Sequence, residues 1–153
     1  MAVKRVGIVG PSIDGDVQEL KARIEDRGGE AAIIDLAQFP ETTRGSISGD
    51  SIIHDDRELL DFDAFYIRKL AAIWSLPPAR YSEEEWRNYY GRFNDVMDDV
   101  RALHSFKLSL ARILCERKNV VNPYESWDQH HLKIYQSILL KENGFKVPEF
   151  VAG

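Results

Sequence analysis

The feature that most narrows the fold lies near the amino terminus. Val3 to Val9 is an apolar run of strand length that stops at Gly10-Pro11. Val17, Leu20 and Ile24 then recur at helical spacing. Asp14 or Asp16 stands where the free amides at a helix start need an acceptor, and Gly28-Gly29 ends the pattern. Ala31 to Ile34 is a second apolar run. Strand, helix and strand in so short a stretch form a βαβ unit, whose right-handed crossover makes the two strands parallel.

The rest of the chain extends this plan. Residues 38–61 are polar and turn-rich, with Gly45 and Gly49 flanking Ile47 and with Ile52-Ile53 beyond, which reads as a small hairpin or a mobile loop. Ala64 to Ile67 is a third strand, and it places Arg68 at the carboxyl edge of the sheet beside Gly10-Pro11-Ser12, the edge at which open α/β sheets bind ligands. From Ser82, which with Glu85 has capping-box spacing, Trp86, Tyr90, Phe93, Met97, Val100 and Leu103 recur every three or four residues. The pattern continues through Phe106, Leu110 and Ile113, with Ser105 placed to cap a second helix and bend the first. Asn119 to Val121 is a fourth strand whose apolar residues predict burial. A last helix, capped by Asp128, runs through Leu132, Tyr135, Ile138 and Leu139 to Asn143-Gly144. The expectation is a three-layer, Rossmann-like α/β domain with a mostly parallel sheet of about four strands.

Charge and cysteine content exclude several functions. With 20 Lys+Arg against 25 Asp+Glu in 153 residues the net charge is −5, which gives no general attraction to nucleic acid. No apolar run approaches the roughly 18 to 20 residues needed to span a bilayer, and the start is a β-like Val-Lys-Arg-Val rather than a signal peptide. Cys115 is the single cysteine, so no intrachain disulfide forms, and a reducing, cytoplasmic setting is expected with Cys115 as a small buried hydrophobe.

Gly7, Gly10 and Gly15 surround the first strand-to-helix turn, where backbone amides and the helix dipole suit a carboxylate or phosphate. The spacing is neither the dinucleotide fingerprint nor the P-loop, and backbone geometry alone accounts for such glycines. The planar fork of Arg68 fits two carboxylate oxygens. His54-Asp55-Asp56 and Asp128 with His130-His131 supply metal-ligand residue types, but adjacent histidines on a helix point apart and the spacing is not that of HExxH. No nucleophile-elbow sequence is present. The aromatic stripe is a core or interface pattern rather than a ligand box.

The last part of the chain carries a resemblance. A short strand runs into Asn122-Pro123, Lys133 follows eleven positions later on a helix, and Val147-Pro148 comes fourteen positions after that. This resembles the junction in ATP-grasp ligases between the amino-terminal domain and the nucleotide-binding domain, nearest the RimK-type and glutathione-synthetase-like carboxylate ligases. Lys69, Trp74 and Pro77-Pro78 after Arg68 resemble the loop that enters the substrate site there. One departure is that the aspartate the family often places before the lysine is Leu132 here.

The resemblance implies that residues 1–122 are a pre-ATP-grasp domain and that 123–153 are a helix and linker leading into an ATP-grasp domain that these residues lack. It implies substrate contacts at Gly10, Pro11, Ser12, Arg68 and Asn122, a nucleotide contact at Lys133, and no catalytic or metal-binding residue in this stretch. It further implies ATP and Mg²⁺ in the parent protein, with none bound tightly by this part alone, and a small-molecule or peptide carboxylate as substrate. The reaction passes through an acylphosphate attacked by an amine or thiol, and this stretch alone is expected to be inactive. Homo-oligomer formation through the long aromatic-bearing helix is a further expectation, since such ligases often assemble. The alternative is a freestanding Rossmann-like module that binds a small anion or a protein and does no chemistry.

Overall fold

The computed structural model describes residues 3–37, 39–40, 42–70, 82, 84, 89–126 and 132–148, with the backbone alone for 89–97. Strands β1 (Arg5–Val9), β2 (Glu30–Ile34), β6 (Ala64–Ile67) and β7 (Asn119–Val121) form one parallel sheet in the order β2-β1-β6-β7. Helix α1 (Gly15–Asp26) joins β1 to β2. Asp14 caps it by accepting from the Asp16 amide at 2.9 Å. At its other end Gly28, with φ +79°, lets the Gly28 and Gly29 amides donate back to the Glu25 and Ile24 carbonyls, which closes the last turn.

Period two along the strands separates the two faces. Ile8, Ala31, Ile33 and Tyr66 meet Val17, Leu20 and Ile24 of α1. Val9, Ile34, Phe65 and Ile67 point the other way, into a larger core completed by Ile52, Leu59, Phe62 and by Leu110, Ala111 and Leu114 of the long helix α2 (Tyr89–Arg117). Helices therefore cover both faces of the sheet, as expected for the layered fold. Gly7 is required where β1 passes under Phe65, because a Cβ there would stand 2.3 Å from the ring.

Within residues 45–58 the hairpin reading holds rather than the loop. Strands β3 (Gly45–Ser48), β4 (Ser51–His54) and β5 (Arg57–Glu58) form a separate antiparallel sheet, followed by one 3₁₀ turn (Leu59–Asp61). Glu58 ties these pieces together by accepting from the Ser51 hydroxyl and from the Ile52 and Leu60 amides. The Ser51 hydrogen bond is the main reason its carboxyl is held below the ordinary glutamate range. Phe39 stacks on Phe106 of α2 at 4.6 Å.

Four expectations are corrected. No second helix starts at Ser105: α2 continues through it with Ser105 exposed, because Val100, Lys107, Leu110, Ala111 and Leu114 keep one buried face in register. β7 is not buried; it pairs only with β6 at the edge of the sheet, and Val121 is 60% exposed. The last helix, α3 (Lys133–Glu142), starts at Lys133 with Leu132 as an N-cap that makes no side-chain bond, and none of its side chains is buried. Cys115 is only half-buried, and its Sγ accepts from the Tyr124 amide at 3.3 Å. Asp128, His130, His131, Trp74, Pro77, Pro78, Glu85 and Trp86 lie outside the described residues. Among the described residues no helix is long and apolar enough to cross a membrane.

Candidate functional site

Parallel strands bring the ends of β1, β2, β6 and β7 to one edge. After β1 comes the turn Gly10-Pro11-Ser12, which leads into α1. Its shape is set by four hydrogen bonds: the Gly10 amide donates to the Ile34 carbonyl at 3.2 Å, the Ser12 amide to Asp35 Oδ2 at 2.7 Å, the Asp14 amide to the Pro11 carbonyl at 3.0 Å, and the Gln18 side-chain amide to the Ser12 carbonyl at 2.6 Å. Asp35, the first residue after β2, is buried, and its other oxygen accepts from the Ala37 amide at 2.9 Å. The turn amide that the sequence offers to a substrate anion is thus already held by a carboxylate of the protein.

Arg68 follows β6. Its amide donates to the Val9 carbonyl at 2.9 Å, which continues the β1–β6 ladder one step and lays the side chain across the end of β1. Gly10 lets that stem pass, since a Cβ on Gly10 would lie 3.2 Å from Arg68 Cβ. The guanidinium does not project alone. Its Nη2 lies 2.6 Å from Asp16 Oδ2, and its Nε lies 3.6 Å from Asp14 Oδ2. Asn122 stands at the same edge, because β7 pairs with β6 so that Val121 is level with Tyr66. Asn122 is exposed and has φ +55°, a left-handed conformation that asparagine tolerates better than most residues.

The structure therefore brings Gly10, Pro11, Ser12, Arg68 and Asn122 to one sheet edge. Lys133 belongs to a different part of the molecule: it is exposed, at the first position of α3, whose apolar residues Ile134, Tyr135, Ile138 and Leu139 are 36–56% exposed. As a point charge at an uncapped helix start Lys133 suits a phosphate oxygen. Among the described residues no three His, Cys, Asp or Glu side chains gather as a metal site.

Sequence reasoning missed Asp35, and it took His54 only as a metal-ligand residue type, not as a buried one. The signal for Asp35 was an acidic residue directly after a buried strand. His54 is 2% exposed on β4, and among the described residues neither ring nitrogen makes a hydrogen bond of good geometry, the Asp35 main chain giving at most a weak one. Its neighbours include the Asp55 carboxylate, 3.6 Å from Nδ1, together with Arg57 and the main chain of Asp35. Burial pushes its pKa down from 6.5, with Asp55 opposing the shift.

The structure is thus a layered α/β domain whose parallel sheet carries the Gly10-Pro11-Ser12 turn, Arg68 and Asn122 at its carboxyl edge. No protein-family model and no curated protein matches the chain. Solved structures do. The ATP-grasp ligase PsnB, complexed with minimal precursor, Mg and ADP, matches 94% of this chain and 44% of its own at TM-score 0.73 and 22% identity. The macrocyclase MdnC from Microcystis aeruginosa MRC, bound with precursor peptide MdnA, matches 95% of this chain and 46% of its own at TM-score 0.73 and 19% identity. A Chryseobacterium gregarium RiPP-associated ATP-grasp ligase, in complex with ADP and a leader and core peptide, matches 96% of this chain and 43% of its own at TM-score 0.69 and 14% identity. The chain has the fold of part of an ATP-grasp ligase and spans less than half the length of these proteins.

Proposed function

We propose that the chain is the amino-terminal, substrate-binding domain of an ATP-dependent carboxylate–amine or carboxylate–thiol ligase of the RimK-type, glutathione-synthetase-like group. Residues 1–122 form the pre-ATP-grasp domain, and 123–153 lead into the ATP-grasp domain. Gly10, Pro11, Ser12, Arg68 and Asn122 face the acyl substrate, and Lys133 contacts the nucleotide. In this reaction the γ-phosphate of ATP passes to a carboxylate, an amine or thiol attacks the acyl carbon, and phosphate leaves. ATP and Mg²⁺ belong to the parent protein; these 153 residues alone are catalytically silent.

The observation that carries this reading is the extent of the match, 94–97% of the chain onto ATP-grasp ligases. The precursor peptides bound by PsnB and MdnC favour a peptide as the carboxylate substrate. The exposed apolar side of α3 supports a following domain that covers it.

The test is to express the complete natural reading frame containing these residues and to measure ADP release with peptides that carry both carboxylate and amine groups. ATP-dependent loss of one water from a peptide, abolished by Arg68→Ala, is the expected result. A frame that closes at Gly153, or a product that binds anions without consuming ATP, replaces the ligase reading with the freestanding binding module.

A further inference from the structure

Three protein carboxylates occupy the anion-holding positions of the sheet edge, and they are not equivalent. Asp35 is buried with both oxygens engaged by amides, so it is part of the turn's framework. Asp14 is the N-cap of α1, its side chain 23% exposed, and its Oδ1 is committed to the Asp16 amide. Asp16 is different. It lies in the first turn of α1 with its side chain 70% exposed, and its carboxylate reaches across to Arg68 Nη2 at 2.6 Å.

We infer that Asp16 is a surrogate ligand: it holds Arg68 in the substrate-free protein, and the carboxylate of the incoming substrate replaces it. This rests on the reading that Arg68 meets a substrate carboxylate. The exchange is cheap because a solvent-exposed pair of this kind is weak, its Coulomb gain being offset by water and side-chain entropy. It is also directed. When Asp16 leaves, Asp14 stays beside Nε and keeps the guanidinium plane in place, so the Nη edge that Asp16 vacates is presented to the ligand. Asp16 then sets a threshold: a neutral group has nothing with which to displace it, whereas a carboxylate competes on equal chemical terms. Binding is reduced by the fraction of molecules in which Arg68 is occupied internally, and removing Asp16 lifts that reduction.

The experiment is a titration of the 153-residue chain with the blocked tripeptide acetyl-Ala-Glu-Ala-amide, with the glutamine version as the neutral control, followed through the backbone amide signals of Ser12, Gln18 and Leu70. Asp16→Asn is expected to bind the glutamate peptide roughly two- to fivefold more tightly than the wild type, the range set by a surface ion pair. Arg68→Gln is expected to lose binding. Asp26→Asn, which removes the same charge at the far end of α1, is expected to match the wild type. Unchanged or weaker binding by Asp16→Asn, with Arg68→Gln still inactive, overturns the surrogate role and leaves the Arg68 reading standing. Equal tightening by Asp26→Asn assigns the effect to net charge and also overturns it. Undiminished binding by Arg68→Gln, or no glutamate-specific shifts in any variant, removes the Arg68 reading and this inference with it.

Discussion

Replacing Asp35 by alanine removes the group that joins the end of β2 to the turn after β1. Two amides lose their acceptor, Ser12 at 2.7 Å and Ala37 at 2.9 Å. A hydrogen bond to an ionised group contributes about 1.5–3 kcal/mol. Both amides are only part-buried, so water recovers some of this, and the expected net loss for Asp35→Ala is about 2–4 kcal/mol. Asparagine keeps one acceptor oxygen but turns its amino group toward the second amide, so Asp35→Asn is expected to cost about half as much. At roughly 2–4 °C per kcal/mol for a chain of this size, Asp35→Ala lowers the midpoint of thermal unfolding by on the order of 10 °C. Circular-dichroism melts measure the total. Hydrogen exchange locates it: the Ser12 and Ala37 amides lose protection in both variants before Ile8, inside β1, does. A midpoint for Asp35→Ala within a degree or two of the wild type would refute the reasoning, since it would mean that the turn is held by its own geometry.

Gly7→Ala introduces a Cβ 2.3 Å from Phe65 Cε1 and 2.9 Å from Ile34 Cδ1. Overpacking of about 1–3 kcal/mol, less the roughly 0.5–1 kcal/mol gained by removing a strand glycine, leaves a net loss of about 1–2 kcal/mol. Phe65→Leu in the same chain should restore part of it, and additive effects in a double-mutant cycle would count against the contact. His54 is buried neutral with its pKa below 6.5, so the unfolded chain binds its proton first: stability is full above pH 6.5 and falls as pH drops below it. Glu58, with its pKa below 4.5, contributes stability that is present above pH 4.5 and lost as pH falls through its lowered value. Urea titrations between these limits should show the first decline in the wild type and not in His54→Gln; a decline that survives the substitution assigns it elsewhere. Lys133→Ala, at an exposed site, is expected to leave the melting midpoint within about 0.5 kcal/mol of the wild type. In the parent ligase it should raise KM for ATP on the order of tenfold, the value of one charge-assisted phosphate contact, and an unchanged KM removes Lys133 from the nucleotide site.

The parts of the fold legible in the sequence are those specified by neighbours along the chain. Asp14 before a helical repeat and Gly28-Gly29 after it fix α1 by local hydrogen bonds, and the short apolar runs on either side can only be strands of a crossover unit. What escaped depends on partners far away in sequence. Val120-Val121 reads the same at the edge of a sheet as at its centre, and only the strand order exposes it. Ser105 has cap chemistry, yet the packed residues on either side of it in α2 keep the helix unbroken. Asp35 drew no reading at all, because its partner Ser12 lies 23 positions earlier. In the sequence His54 reads only with Asp55 and Asp56 as a metal-ligand residue type; the period-two alternation with buried Ile52 and exposed Ile53 was the available clue that it points inward.

The two halves of the nominated site also differ in how they are built. Gly10, Pro11, Ser12, Arg68 and Asn122 sit at the ends of strands that are hydrogen-bonded to one another and backed by a buried core, so their relative positions are fixed by the sheet. Lys133 sits on a helix of 10 residues with no buried side chain, and a helix of that length draws little stability from its own hydrogen bonds in water. In the proposed ligase, packing of the nucleotide-binding domain on Ile134, Tyr135, Ile138 and Leu139 sets the place of Lys133 relative to Arg68. On the proposed reading, the carboxylate side of the chemistry is tested on these residues alone and the phosphate side in the parent protein. A finding that this chain binds ATP through Lys133 without any further domain would contradict that division.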